Sequence, residues 1–201
     1  MPSKETLLNS LRLSVATASL LLGGLIGAPA AAQGEPKMVP IDSTAEAFVS
    51  VFNGTCVKFY GSPDKLRADL ESRKLPLVEE ARRPPFLHEE AGQAWSLSNG
   101  KGDFVIALRQ TGGCSVFARR ANDVDVQLLF STLVQRIQVP GAPMLKVADK
   151  HDPSAAGDTH YVAYAQQRTT PGPYARFSVA TTASDKVAIQ AVATVSTAEK
   201  K

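Results

Sequence analysis

The sequence predicts an α+β fold: one antiparallel β-sheet, or two merged, with two or three helices packed on one face, behind an N-terminal signal peptide. Three observations point there. Helix-like and strand-like segments come in runs, without the regular strand–helix–strand alternation of a parallel sheet. Consecutive strand candidates are joined by short turns, which suit antiparallel neighbours. The chain has 201 residues, 44% of them hydrophobic, which is one domain's worth of core. The same arithmetic excludes other classes. A net charge of +3 with that apolar content does not suit a disordered chain. Two cysteines make neither a disulfide-dense scaffold nor a cysteine-rich metal cluster. The basic surplus is small and spread out, so no nucleic-acid partner is expected.

The first residues read as an address. Met1–Arg12 is polar and carries Lys4 and Arg12, Leu13–Ala28 is an uncharged apolar run, and Pro29 precedes Ala30-Ala31-Ala32. A basic start, an apolar stretch and an A-x-A site make a secretory signal peptide. Ala30 and Ala32 place the cut before Gln33. The competing reading is a retained anchor over Leu13–Ala32, 20 residues long. Its Ala, Gly, Ser and Thr content and the lack of a basic flank after it favour cleavage, which leaves no stable membrane span. No cysteine stands at the cut for lipidation, and no arginine pair precedes the apolar run. Cleavage removes Lys4, Glu5 and Arg12, leaving 169 residues and a net charge of +2. The chain thus divides into a signal peptide (1–32), a tether (33–42) and one α+β domain (43–201). Within the domain, residues 43–139 form a helical and meander half and residues 144–197 a β-rich half.

Export decides how Cys56 and Cys114 are read. An exported chain meets an oxidising compartment, so a disulfide between them is the default. Closing a loop of 58 residues stabilises by about 4 kcal/mol in the chain-entropy model. A reactive cysteine would need a neighbouring base, whereas Cys56 sits on an apolar helical face and Cys114 in a strand-like run.

Each element follows from local pattern. Ser43 and Glu46 form a Ser-x-x-Glu capping box opening a first helix. Phe48, Val51, Phe52, Cys56 and Phe59 make its apolar face, with Asn53-Gly54 interrupting it. Ser62-Pro63-Asp64 starts a second helix with Leu66 and Leu70 as its seam and Asp69–Arg73 as a surface pair, ending near Leu75. Glu79–Gly92 is charged and irregular, and Pro84-Pro85 argues against regular structure. Ala94–Leu97, Asp103–Arg109 and Cys114–Arg119 read as a three-stranded meander turning at Asn99–Gly102 and Thr111–Gly113. A third helix starts at Asn122, with Asp123 and Asp125 in its first turn, and Val126, Phe130, Leu133, Val134 and Ile137 share one face of it. Pro140-Gly141-Ala142-Pro143 ends it. Leu145–Ala148, His160–Gln166, Tyr174–Thr182 and Lys186–Ser196 are the remaining strands, with turns at Pro171-Gly172-Pro173 and Ser184-Asp185. The inward positions of the β-rich end are often alanine, which lets a helix or a partner approach closely.

No strong catalytic motif is present: no nucleophile elbow, no H-E-x-x-H, no phosphate loop and no dinucleotide fingerprint. The best polar cluster is His88, Glu89, His151 and His160, with Glu79, Glu80, Glu90 and Asp152 beside them. Three imidazoles with carboxylates suit zinc or acid–base chemistry, against a bland reading as solvated loop charge. Ser115 is an ordinary strand serine unless the fold brings it a base. Arg82-Arg83 and Arg119-Arg120 are weighed as an anion patch, and Trp95, Tyr161, Tyr164 and Tyr174 as a ligand groove. Asn53-Gly54-Thr55 matches a glycosylation sequon by chance.

The Ala47-Phe48…Cys56 helix, the Gly92-x-Ala94-Trp95 strand, and Gly113-Cys114-Ser115-Val116-Phe117-Ala118 before a helix with Phe130 and Leu133 resemble an uncharacterised family of small exported proteins of Gram-negative bacteria. The resemblance spans roughly Ala45–Gln135. It implies an exported, periplasmic or secreted, disulfide-containing domain and carries no catalytic residues. The resulting expectation is a non-catalytic binding domain with no metal and no cofactor, whose partner is another envelope protein or a small ligand. The rivals are an envelope hydrolase or metal-dependent enzyme using the histidines, and a small-ligand sensor with a pocket near Trp95.

Overall fold

The computed structural model describes residues 40–137, 142–167 and 172–200, with the side chains of residues 199 and 200 left aside. The signal peptide, its cleavage residues Ala30, Ala32 and Gln33, most of the tether, and parts of the two proline–glycine turns lie outside the described residues.

Helix α1 (Ser43–Phe52) is capped by Asp42, whose side chain accepts from the Thr44 and Ala45 backbone N–H groups. The expected cap, Ser43, is instead the first helical residue. The helix then widens into one π-turn, Asn53–Val57, in which the Lys58 N–H reaches the Asn53 carbonyl at 3.0 Å. This wider turn carries Cys56, bonded to Cys114 on strand β3. Both cysteines are buried. Helix α2 (Pro63–Ser72) places Pro63 in its first turn and stops three residues before Leu75.

The stretch expected to be irregular contains a 3₁₀ turn (Glu80–Arg82) and a single helical turn, α3 (Pro84–Leu87). Prolines are tolerated in a first turn because those amides have no intrahelical acceptor, so Pro84-Pro85 starts α3 rather than preventing it. It ends at once, since His88 and Glu89 both take positive φ, 51° and 66°.

Strands β1 (Gly92–Asn99), β2 (Gly102–Arg109) and β3 (Cys114–Ala118) form the expected meander. Helix α4 (Asp123–Arg136) follows, capped by Asn122 as expected. Then come β4 (Met144–Ser154), β5 (Gly157–Gln166), β6 (Gly172–Thr181) and β7 (Ala191–Lys200). All seven join one antiparallel sheet in the order β1-β2-β3-β7-β6-β5-β4. The two halves read from the sequence therefore share a single sheet, joined where β3 pairs with β7.

Strand β4 runs much further than Leu145–Ala148. It is an edge strand, exposed along most of its length, so Lys146, Asp149, Lys150 and Asp152 need no burial to belong to it. Strand β7 begins later than expected. Val187 and Ile189 lie in a loop held by Arg120, which donates to the Val187 carbonyl at 2.9 Å, and by Gln190, which donates to Ser184. The other edge is covered: Val78 N–H donates to Ala94 and Ser96 N–H to Pro76.

Alternation along the strands gives the sheet two faces. The first carries the main core, where Trp95, Ile106, Val116, Ala193, Val179 and Val162 form one row across the sheet. Helices α1, α2 and α4 cover this face. Phe52 and Phe130 meet with ring centroids 5.8 Å apart, and Phe130 meets Tyr164 at 6.3 Å. The inward alanines Ala118, Ala191 and Ala193 lie beneath these helices, in the main core. The second face has a smaller cluster: Leu87, Ala94, Ala107 and Phe117, with Phe86, Val105, Ile189 and Val192 packed against it. Turn α3 belongs to this side, with Phe86 edge-on to Phe117 at 5.1 Å.

Candidate functional site

The β4–β5 hairpin gathers the titratable side chains. Ser154 pairs with Gly157 at its tip, so counting back along both strands sets His151 opposite His160. The two imidazoles stack, with centroids 4.3 Å apart and planes within 6°. A β-bulge between Lys146 and Ala148 shifts the register and brings Lys146 and Asp149 to the same face as the histidines.

Each ring is tied to a carboxylate. His151 Nδ1 lies 2.6 Å from Asp158 Oδ2, and His160 Nε2 lies 2.8 Å from Asp149 Oδ1. An ionised carboxylate only accepts, so the proton sits on the ring nitrogen that faces it. Asp149 also receives Lys146 Nζ at 2.8 Å. Its carboxyl is pulled down to about 2, first by the hydrogen bond from Lys146 and then by that from His160. The Lys146 ammonium is raised in return, chiefly by Asp149. Behind the pair, Gln127 of α4 donates to the His160 carbonyl and to Thr181 Oγ1, fixing this end of the hairpin to the helix.

This arrangement corrects the sequence-based cluster. Only His151 and His160 come together. His88 and Glu89 follow α3, which packs on β1 and β2 on the second sheet face. The histidine pair sits on β4 and β5 at the opposite sheet edge, facing the other way. From β2 to β5 there are four interstrand steps, roughly 19 Å. The carboxylates of the pair also differ from those expected. Asp158, not Asp152, holds His151, because partners across a hairpin are set by register and not by adjacency. The turn residues Ala155-Ala156-Gly157 were the available signal, since they fix that register. The two carboxylates lie on opposite diagonals of the pair, so they draw the ring N–H groups apart rather than toward one ion. Among the described residues, no three His, Cys, Asp or Glu side chains are grouped to hold a metal ion.

The remaining candidates also separate. Trp95 and Tyr164 are buried in the main core, where the Tyr164 hydroxyl donates to Ser131 at 2.9 Å. Tyr161 and Tyr174 lie on the opposite face, so the four rings line no common groove. Ser115 Oγ is hydrogen-bonded to Thr194 Oγ1 at 2.9 Å and has no base. Arg83 and Arg120 direct hydrogen bonds to backbone carbonyls of their own surroundings, Val78 and Val187. Thr55 of the sequon is buried and donates to the Val51 carbonyl. Beside His88 and Glu89 there is a shallow depression of about 250 Å³ lined by Glu90, Ala91, Gln110 and Thr111. There Glu90 is held by Arg109 and Thr111.

No protein-family model, curated protein or solved structure matches the chain. Function is therefore argued from the surfaces themselves.

Among the described residues, no helix is long and apolar enough to cross a membrane. Among the described residues, the apolar cluster on the second sheet face reaches over β1–β3 and Val192, and Ala163 and Ala165 of β5 are also buried on that face. Beyond that cluster, β7, β6, β5 and β4 present Thr194, Ser196, Ser178, Ala180, Arg176, Tyr161 and Lys150, all partly or fully exposed.

Proposed function

We propose that the chain is exported by its N-terminal segment and acts outside the cytoplasm as a non-catalytic binding domain for an envelope protein or a small ligand. The observation that carries this reading is the open second face of β7–β4. Its partly exposed lining of hydroxyl, basic and aromatic side chains suits recognition at a surface. The buried Cys56–Cys114 disulfide supports export, because such bonds persist where thiols are oxidised. The histidines, exposed His151 and half-buried His160, are each committed to a carboxylate on an edge hairpin, which supports a structural role for that cluster.

Cell fractionation with N-terminal sequencing tests the reading. The expected product starts at Gln33 and leaves the cytoplasm. A full-length chain retained in the cytoplasm would overturn export. Assays with generic ester, glycan and peptide substrates should give no turnover, and turnover abolished by His160→Ala would replace the binding reading with a hydrolase.

A further inference from the structure

Resting on that reading, we propose that the open sheet face carries an oxyanion site, formed by Lys150, Tyr161 and Arg176, for a phosphate monoester or inorganic phosphate. Strands β4, β5 and β6 contribute one side chain each. Lys150 and Tyr161 are direct cross-strand partners, and the ammonium lies 5.4 Å from the Tyr161 ring centroid. Arg176 pairs with Ala165, four residues along β5 from Tyr161. Its guanidinium reaches back across the face, where Nη2 donates to the Tyr161 hydroxyl at 3.2 Å.

Small residues make this reach possible. Ala163 and Ser178 are paired directly between Tyr161 and Arg176. Ala163 is 0% exposed, and among the described residues no helix packs on this side of it. The tyrosine is thereby held between two cations.

The charges are unbalanced locally. Among the described residues, Arg67, Arg73, Arg109 and Lys146 each pair with a carboxylate, while Lys150 and Arg176 pair with none. Asp152 follows Lys150 on the same strand face, toward the hairpin tip, and forms no ion pair with it. A guanidinium has five N–H donors, and one of Arg176's is engaged by Tyr161. The Tyr161 hydroxyl accepts that bond and keeps its own proton to donate. Arg176, Tyr161, Lys150 and the Ser178 hydroxyl thus offer donors on one sheet face. A phosphate monoester, with three terminal oxygens and a charge near −2, matches that set better than a planar carboxylate, which one arginine fork satisfies.

Titration of the purified, disulfide-bonded protein with inorganic phosphate, followed by ¹H–¹⁵N NMR and calorimetry, tests the site. A second arm measures co-sedimentation with phosphatidylcholine vesicles with and without phosphatidic acid, whose headgroup is a phosphate monoester. The expected result is saturable shifts confined to this face of β4–β6, abolished by Arg176→Gln and weakened about tenfold or more by Lys150→Gln. Both substitutions are on the surface, and unchanged Trp95 emission shows that the fold persists. Saturation by free phosphate assigns a soluble ligand. Arg176-dependent binding to phosphatidic acid vesicles alone assigns a lipid headgroup. No saturation in either arm up to about 20 mM phosphate, or binding undiminished in Arg176→Gln, would overturn the site. That failure leaves the binding-domain reading standing, whereas enzymatic turnover would sink the reading without touching phosphate binding.

Discussion

Asp42 and Asp125 tie the starts of two helices together. Asp125 Oδ2 accepts the Asp42 backbone N–H at 2.8 Å, while the Asp42 carboxylate caps α1 and accepts the Asn122 N–H, the cap residue of α4, at 3.1 Å. One short segment thus satisfies orphan amides of both helices that pack through Phe52 and Phe130. Asp42→Ala should cost about 2 kcal/mol in urea unfolding, the upper end for a lost cap, whereas Ser43→Ala should cost under about 0.5 kcal/mol. Equal losses would restore Ser43 as the cap.

The same carboxylate sets a pH dependence. Burial raises the Asp42 pKa, but the backbone N–H groups of Asn122, Thr44 and Ala45 outweigh it, and the net effect is a lowered value. A depressed folded-state pKa contributes stability that is complete above the unfolded value of 3.8 and is lost as pH falls through the folded one. Stability of the wild type should therefore fall below about pH 4 more steeply than that of Asp42→Asn. Parallel curves would remove Asp42 from the acid response.

Cys56–Cys114 closes a 58-residue separation between the π-turn and the middle of the sheet. Reduction, or paired replacement by alanine, should remove about 4 kcal/mol. Thiol titration of the unfolded, unreduced protein should find no reactive thiols, and two would refute the bridge.

Trp95 is the chain's single tryptophan and is 1% exposed. Its emission should be that of a buried indole and should shift to longer wavelength on unfolding. Phe130→Ala, which empties the contact between α1, α4 and Tyr164, should cost about 3–5 kcal/mol by that signal. A loss below about 1 kcal/mol would mean that the helix layer is not packed as described.

Gly157 closes the β4–β5 hairpin with φ of 130°, and a Cβ there would meet Ser184 Cβ at 2.5 Å. Gly157→Ala should destabilise by about 1–3 kcal/mol and loosen the His151–His160 pairing, seen as faster amide exchange in β4. Exchange unchanged at His151 would show that the tip does not hold the register.

Much of the fold was legible in local pattern. Turn residues between short strand-like runs marked β1–β3, alternation marked Ala191–Val195 of β7, and helical spacing marked Phe48, Phe52, Val126 and Phe130. The misses share a cause. Strand β4 reads as only a short strand, Leu145–Ala148, because the rest of an edge strand tolerates lysine, aspartate and Pro153. Ser43 and Asp42 are adjacent, equally good caps, and only contact with Asn122 and Asp125 selects Asp42. His88 and His151 look alike in sequence, yet His88 follows α3, packed on β1 and β2, while His151 lies on β4 at the opposite edge of the sheet.

By itself the sequence determined the α+β class, the helix layer, the meander and the cysteine pair, because periodicity, turn chemistry and cysteine spacing act over a few residues or a single bond. Tertiary structure alone decided that both halves share one sheet, that His151 and His160 stack with Asp158 and Asp149 as their holders, and that Lys150, Tyr161 and Arg176 meet on an open face. Those are matters of strand order and register, set by pairings between distant segments, and the turn at Ala155–Gly157 is a local sign of one of them.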